Sequence, residues 1–256
     1  MFSKLQEVYN YRQMIRELVR RELRGRYKGS VLGFLWTFLN PLLQLGVYTL
    51  LFSIILDRGV AHYPIFLFVG LVPWLFFSSC LSSGCSVVLS SGAMVTKIYF
   101  PREVLPISFV CGAFVNMLYC FVVLFGILAV TRFGFNAAAL PFLPLIMAVE
   151  FLLCLGVTLI FSALTVYVRD LEHFLGIIAM LWQFLTPIMY ETPEKYRHLF
   201  NLNPMTSVIE CYKAVLYYRQ IPHVGSLRAA ALIGVCSVVV GELIFSKLQR
   251  GFAEEL

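Results

Sequence analysis

Charge is what this chain has least of. Only 13% of its 256 residues are charged, 60% are hydrophobic, and the mean hydropathy is +0.83. A water-soluble domain of this length keeps about a quarter of its residues charged, so there is too little charge here to cover a solvated surface. The short periodic pattern of a buried soluble core is also missing, because the apolar residues come in long blocks. So are the alternating segments of about ten residues that an outer-membrane barrel would need. The composition defines an all-α integral membrane protein of several spans.

Signatures of chemistry are equally scarce. Cys80, Cys85, Cys111, Cys120, Cys154, Cys211 and Cys236 show no CxxC spacing. All but Cys211 lie inside apolar blocks, which fits small packing residues better than metal ligands or disulfides. His62, His173, His198 and His223 are scattered, with no HExxH. Neither GxxxxGK[ST], GxSxG nor a Ser-His-Asp arrangement occurs. No cofactor, metal or nucleic-acid partner is therefore expected on this chain, and it does not read as an enzyme.

A spanning helix needs roughly 20 apolar residues. Six blocks are read as spans: Val31–Leu56, Ile65–Leu89, Val104–Val130, Leu140–Val168, Phe174–Tyr190 and Ala229–Phe245. The fifth is short and runs into Thr186-Pro187. Backbone polar groups in lipid must be bonded internally, so each block predicts a helix. Lys and Arg set the orientation. With the N-terminus in the cytoplasm, thirteen of the twenty cations fall on that side, eight before Ser30 and then Lys97, Arg102, Arg169, Lys247 and Arg250. Both termini are expected inside. The opening 28 residues are too charged, and the first apolar block too long, for a cleavable signal peptide.

Between Lys4 and Lys28, Leu5, Val8, Ile15, Leu18, Val19, Leu23 and Tyr27 recur at helical spacing, with Arg12, Arg16, Glu17, Arg20 and Arg24 over much of the remainder. This predicts an amphipathic interface helix within residues 1–30, ahead of a six-helix domain at 31–256. Its cations act either as a topogenic anchor or as a docking surface that also guides an anionic lipid headgroup to an entrance at Gly29–Gly33.

Four further stretches organise the chain. SSCLSSGCSVVLSSG, residues 78–92, suits close helix packing or a hydrated pathway wall. TKIYFPREVLP, residues 96–106, is a compact charged connection, either a force-transmitting element or a plain loop. YVRDLEHF, residues 167–174, predicts a cap and an ion pair at Arg169-Asp170. NLNPMTSVIECYKAVLYYRQIP, residues 201–222, is too polar to span and too apolar for a free loop. It predicts an external re-entrant helical hairpin, about 191–227, between the fifth and sixth spans. The hairpin either gates a pathway, through Pro187, Pro204, Glu210 and Lys213, or simply fills space. Glu150, central in the fourth span, costs roughly 2.5–3.5 kcal/mol to insert. An interhelical hydrogen bond is favoured over a proton relay, since no chain of acids and histidines accompanies it. Glu242 is explained by snorkelling.

RGRYKGSVLGFLWTFLNP (24–41), GLVPWLFFS (70–78), TKIYFPREVLP, YVRDLEHF, FLTPIMY (184–190) and NPMTSVIECYKAVLY (203–217) occur in one order and spacing. Together they resemble the membrane permease of ABC-2-type polysaccharide exporters, the group that moves O-antigen, capsule and teichoic-acid chains. The resemblance covers nearly the whole chain. It implies a half-transporter, two copies of this chain working with two separate ATPase subunits that hold ATP and Mg. It also implies that residues 4–28, with Arg16 and Arg20, and Thr96, Lys97, Arg102 and Glu103 rest on those ATPases, with Arg169 and Asp170 on the same side. Known members form a wide channel lined partly by aromatic side chains, which stack on sugar rings.

The function implied is export of a lipid-linked polysaccharide across the bacterial inner membrane. Arg24, Arg26 and Lys28 are expected to receive the phosphate-bearing lipid head at the substrate entrance. Two competitors remain at this point: an ABC-2 permease for a drug or small lipid, and a membrane-embedded glycan-modifying enzyme.

Overall fold

A computed structural model of the chain describes residues 2–25, 30, 32–55 and 60–256. Every regular element among them is helical. The N-terminal segment forms two helices, α1 (Phe2–Asn10) and α2 (Arg12–Gly25), where the sequence predicts one. At Tyr11 the ladder tightens, its N–H donating to the Val8 carbonyl 3.1 Å away. Asn, a poor interior helix former that competes for local backbone bonds, stands just before this break. The stripe Tyr11, Met14, Ile15 and Leu18 packs on a buried cluster that includes Val104, Leu105 and Phe252, so part of the amphipathic face seats on protein.

Among the described residues, five helical segments are long and apolar enough to cross a membrane: Gly33–Phe52, Tyr63–Lys97, Val104–Val130, Phe142–Tyr167 and Val224–Glu255. The first is built around α3 (Trp36–Thr49), which holds Pro41 and passes into a π turn at Leu50. The second begins as α4 (Tyr63–Ser82). The serine run then breaks it into a 3-10 turn and the short helices α5 (Val87–Ser90) and α6 (Gly92–Lys97). Three of the seven hydroxyls bond back to their own turns, among them Ser82, which donates to the Ser78 carbonyl (2.7 Å), and Ser90, which donates to that of Val87 (3.2 Å). Such back-bonding satisfies the hydroxyl and bends the helix.

α7 (Val104–Val130) and α8 (Phe142–Tyr167) match their predicted blocks closely. The block 174–190 does not form a full-length helix. α9 (Leu171–Phe184) has 14 residues and is followed by turns. The residue before a proline avoids helical backbone, and Thr186-Pro187 supplies that stop. Then come α10 (Arg197–Phe200), α11 (Pro204–Leu216), α12 (Val224–Leu248) and α13 (Phe252–Glu255). α11 starts cleanly because the Asn203 side chain accepts from the Met205 N–H (3.0 Å) and Pro204 occupies the first turn.

α4 is apolar on all sides and lies at the centre, packed by α3, α7, α8, α9 and α11. Its Phe66, Leu67, Phe77 and Trp74 are among the most deeply buried side chains. The most extensive helix pair is α8 with α12. Small residues permit it: a Cβ on Gly156 would fall 2.3 Å from the Ser237 backbone, and one on Gly241 would fall 2.7 Å from the Gly156 carbonyl oxygen. Close backbone approach of this kind supplies helix association where lipid offers no hydrophobic driving force.

The polar connections gather at two ends. At the basal end meet the 91–103 connection, the 168–170 turn and residues 248–256, joined by bonds such as that from the Tyr167 hydroxyl to the Leu248 carbonyl (2.7 Å). At the distal end meet residues 60–62, 131–141 and 185–223, joined for instance by Asn136, which donates to the Arg219 carbonyl (2.8 Å).

Candidate functional site

The basal end presents an exposed tip on a tethered base. Thr96, Lys97, Ile98 and Tyr99 are all exposed, Tyr99 by 88%, whereas Phe100 turns inward and is buried. Thr96 itself donates to the Gly92 carbonyl (3.0 Å), closing the last turn of α6. Arg102 and Glu103 face the other way. The Arg102 guanidinium donates to the Gln249 carbonyl and lies 5.8 Å from the Phe252 ring centroid. Glu103 is buried and accepts from Gln249 Nε2 (2.8 Å). Of the residues assigned by resemblance to ATPase contact, then, Thr96 and Lys97 are accessible while Arg102 and Glu103 anchor the connection to the body.

The expected Arg169–Asp170 ion pair does not form. Arg169 instead donates to the Glu255 carbonyl (3.3 Å), and Asp170 stands exposed as the N-cap of α9 without a side-chain capping bond. Arg16, Arg20 and Arg24 are exposed on α2, with Arg20 paired to Glu17 at 2.9 Å. Arg26 and Lys28, the other two entrance residues, lie outside the described residues, as does Gly29. A cavity of about 1060 Å³ runs between the 95–103 connection, α1 and α12, with Glu7, Lys97 and Glu242 on its polar side and Leu159, Val239 and Leu243 on its apolar side.

Three of the four predicted external-gate residues meet at the distal end. Lys213 is only 4% exposed. Its Nζ donates to the carbonyls of Pro187 (2.6 Å), Ile188 (3.1 Å) and Tyr190 (3.5 Å), and lies 3.5 Å from the centroid of the Phe66 ring. The broken chain after α9 frees those carbonyls, and the lysine satisfies them. Burial pushes the Lys213 amine well below the usual lysine range, while Glu191 and Glu210 act in the opposite sense. Glu210 accepts from the Thr192 hydroxyl (2.7 Å), and Glu191 accepts from Tyr218 (2.7 Å). Burial raises the Tyr218 phenol, and that Glu191 bond adds to it. Pro204 has a different job, opening α11, while its neighbour Asn203 donates to the Thr186 hydroxyl (2.9 Å). Beside the lysine is a cavity of about 560 Å³ lined by Tyr190, Glu191, Glu210 and Tyr218 among others.

Glu150 is fully buried and accepts from the Tyr212 hydroxyl (2.6 Å), the interhelical bond that its cost demands, here from α11 to α8. Sequence reading missed Tyr212 and Thr192 because each acts on a partner remote in the chain, whereas the Asn203-Pro204 pair did carry a local helix-start signal. Gln249 and Phe252 were missed because nothing marks an ordinary Gln or Phe near a helix end. A signal did exist for the α8–α12 seam, in the small residues Gly234, Ser237 and Gly241 at helical spacing.

A bundle of apolar helices with a tethered, exposed connection at one end and a re-fastened break at the other describes a multi-pass integral membrane protein. Residues 13–217 match the family model described as ABC-2 type transporter, and the chain belongs to that family. It is 34% identical, over 100% of both chains, to the O-antigen export system permease protein RfbA of Myxococcus xanthus. It is 31% identical to a protein of the same description from Klebsiella pneumoniae, over 93% of each chain. To the polysialic acid transport protein KpsM of Escherichia coli it is 24% identical, over 90% of this chain and 92% of the relative.

Proposed function

We propose that this chain is the transmembrane permease half of an ATP-driven exporter that moves a lipid-linked polysaccharide across the bacterial inner membrane. One observation carries the reading: the likeness to an O-antigen export permease runs from end to end at 34% identity. Two copies of the chain form the conduit, and two separate ATPase subunits supply the work, with ATP and Mg held on those partners. The exposed tip at Thr96–Tyr99 and the cations Arg16 and Arg20 of α2 are the surfaces offered to the ATPases. Arg24, Arg26 and Lys28 receive the phosphate-bearing lipid head, since interfacial cations attract it.

The chain is read as six crossings with both termini in the cytoplasm. Support comes from the segment between Arg169, bonded to Glu255 at the basal end, and Met189, whose carbonyl accepts from Tyr63 at the distal end. α9 and the turns after it cover that passage. Residues 1–30 are then the interface unit and 31–256 the six-helix domain, with the re-entrant pair α10 and α11 closing the external side. Lys213 and Glu210 hold that pair to the break at Pro187, and Pro204 fixes where its second helix begins.

Deleting the gene should leave undecorated cells with polymer accumulated inside, and purification of the chain should bring a Walker-motif ATPase whose turnover the chain raises. Normal surface polymer in the deletion, or hydrolysis of nucleotide by the chain alone, would sink the proposal. Neutralising Arg24, Arg26 and Lys28 together should lower export while ATPase assembly persists; unchanged export would remove their substrate role.

A further inference from the structure

Residues 249–256 touch both ends of the 92–103 connection and the 168–170 turn. Gln249 takes both neighbours of one proline-bounded corner, its carbonyl accepting from Arg102 and its side-chain amide donating to Glu103 (2.8 Å). Glu255 accepts from Arg169 (3.3 Å) at the 168–170 turn. Leu256 lies over Gly92, where a Cβ added to the glycine would stand 3.6 Å from the leucine Cβ. Phe252 is wholly buried in the middle, 5.6 Å from the Phe245 ring of α12 and 6.2 Å from that of Tyr167 on α8. A polar bond on each flank around one buried ring is a fastening, because neither flank can swing without exposing the ring or breaking a bond to Glu103 or to the Glu255 carbonyl.

We infer that residues 249–256 form a clasp that ties the 92–103 connection to α8 and α12, so that a push on the exposed tip displaces all three as one body. The inference rests on the proposed reading that this tip receives the motor. Phe252 and Gln249 are positioning residues in it. They meet no substrate and act through the connection they hold. Without the clasp the tip still docks and still stimulates hydrolysis, but its stroke is absorbed at the joint.

Reconstituted permease and ATPase, with polymer export and phosphate release measured together, test this. Phe252→Ala should raise the ATP consumed per chain exported roughly five-fold, in the range that altered coupling residues reach, and Phe252→Leu should restore most of the ratio. A merely structural defect would lower export and hydrolysis in proportion and leave the ratio unmoved, which would overturn the inference. A second arm holds if Phe252→Ala does not assemble. A Cβ separation of about 3.5–4.5 Å suits a disulfide, so oxidising the pair Gly92→Cys and Leu256→Cys should bridge clasp and connection. Export by the bridged protein should stay within about two-fold of the single-cysteine controls, the coupling expected of elements that already move together. Loss of export on bridging, reversed by reductant, would mean that the two must part and would refute the clasp. Failure of the wild-type chain to bind or stimulate any ATPase would instead remove the reading beneath it.

Discussion

At the basal end the fastenings are side chains reaching main-chain carbonyls from parts of the chain remote in sequence: Arg102 to Gln249, Arg169 to Glu255, Tyr167 to Leu248. The distal end has bonds of that kind too, as from Asn136 to the Arg219 carbonyl and from Tyr63 to that of Met189, and adds a buried amine. Lys213 holds the carbonyls of a broken helix, and three non-glycine residues, His62, Arg132 and Arg219, adopt left-handed backbone at the junctions around it. Left-handed backbone is uncommon outside glycine and costs free energy that the surroundings must offset. The two ends therefore differ in how deeply their fastening groups are buried. One is a scaffold with an accessible tip, and the other is a broken helix re-fastened by a buried amine.

The difference can be broken most sharply at Lys213. Lys213→Met keeps the aliphatic stem and removes only the amine, leaving buried carbonyls without a donor. We expect a loss of about 3 kcal/mol, read as a fall in the temperature at which the detergent-solubilised protein leaves the monodisperse peak. A basal change of comparable severity should cost less. In Gly251→Val the new Cβ would stand 2.5 Å from the Tyr167 hydroxyl, forcing that ring aside and breaking its bond to Leu248, for about 1–2 kcal/mol in the same measurement. Asn203→Ala, which removes the α11 cap and the bond to Thr186, should cost about 1 kcal/mol, and its effect should appear as faster hydrogen exchange at the first turn of α11 and at the turn around Thr186. Smallest of all is the pair on α2. Glu17 and Arg20 are 70% and 65% exposed at the side chain, and Glu17→Gln should change stability by a few tenths of a kcal/mol at most. A thermal shift from it as large as that of Gly251→Val would contradict the picture of α2 as a solvated face.

Much of this architecture could be read before any coordinates. The blocks at 104–130 and 140–168 appear as α7 and α8 almost to the residue, because hydropathy over such lengths admits nothing but helix in lipid. Lys213 was visible as an oddity, a cation in an apolar stretch, and Glu150 as an acid that had to find a partner. Neither partner could be named. Tyr212 lies 62 positions from Glu150, and the carbonyls that hold Lys213 become available only because α9 stops at Phe184. Arg102 and Glu103 read, by resemblance, as part of the connection that rests on the ATPases, and their bonds to Gln249 were not legible. Arg169-Asp170 read as an ion pair, since adjacent opposite charges suggest one, but a guanidinium meets a free carbonyl more readily than the carboxylate beside it when the backbone points the two apart.

The sequence by itself determined that the protein lives in a membrane, that its segments are helices, and which family it belongs to. Those properties follow from local composition and from ordered motifs, and both survive without knowledge of contacts. Tertiary structure alone decided which charges stay exposed and which are consumed as internal fastenings, and it alone brought residues 249–256 onto the 92–103 connection. A side chain's role at such a site is fixed by what lies across from it, and that neighbour is chosen by how the helices pack.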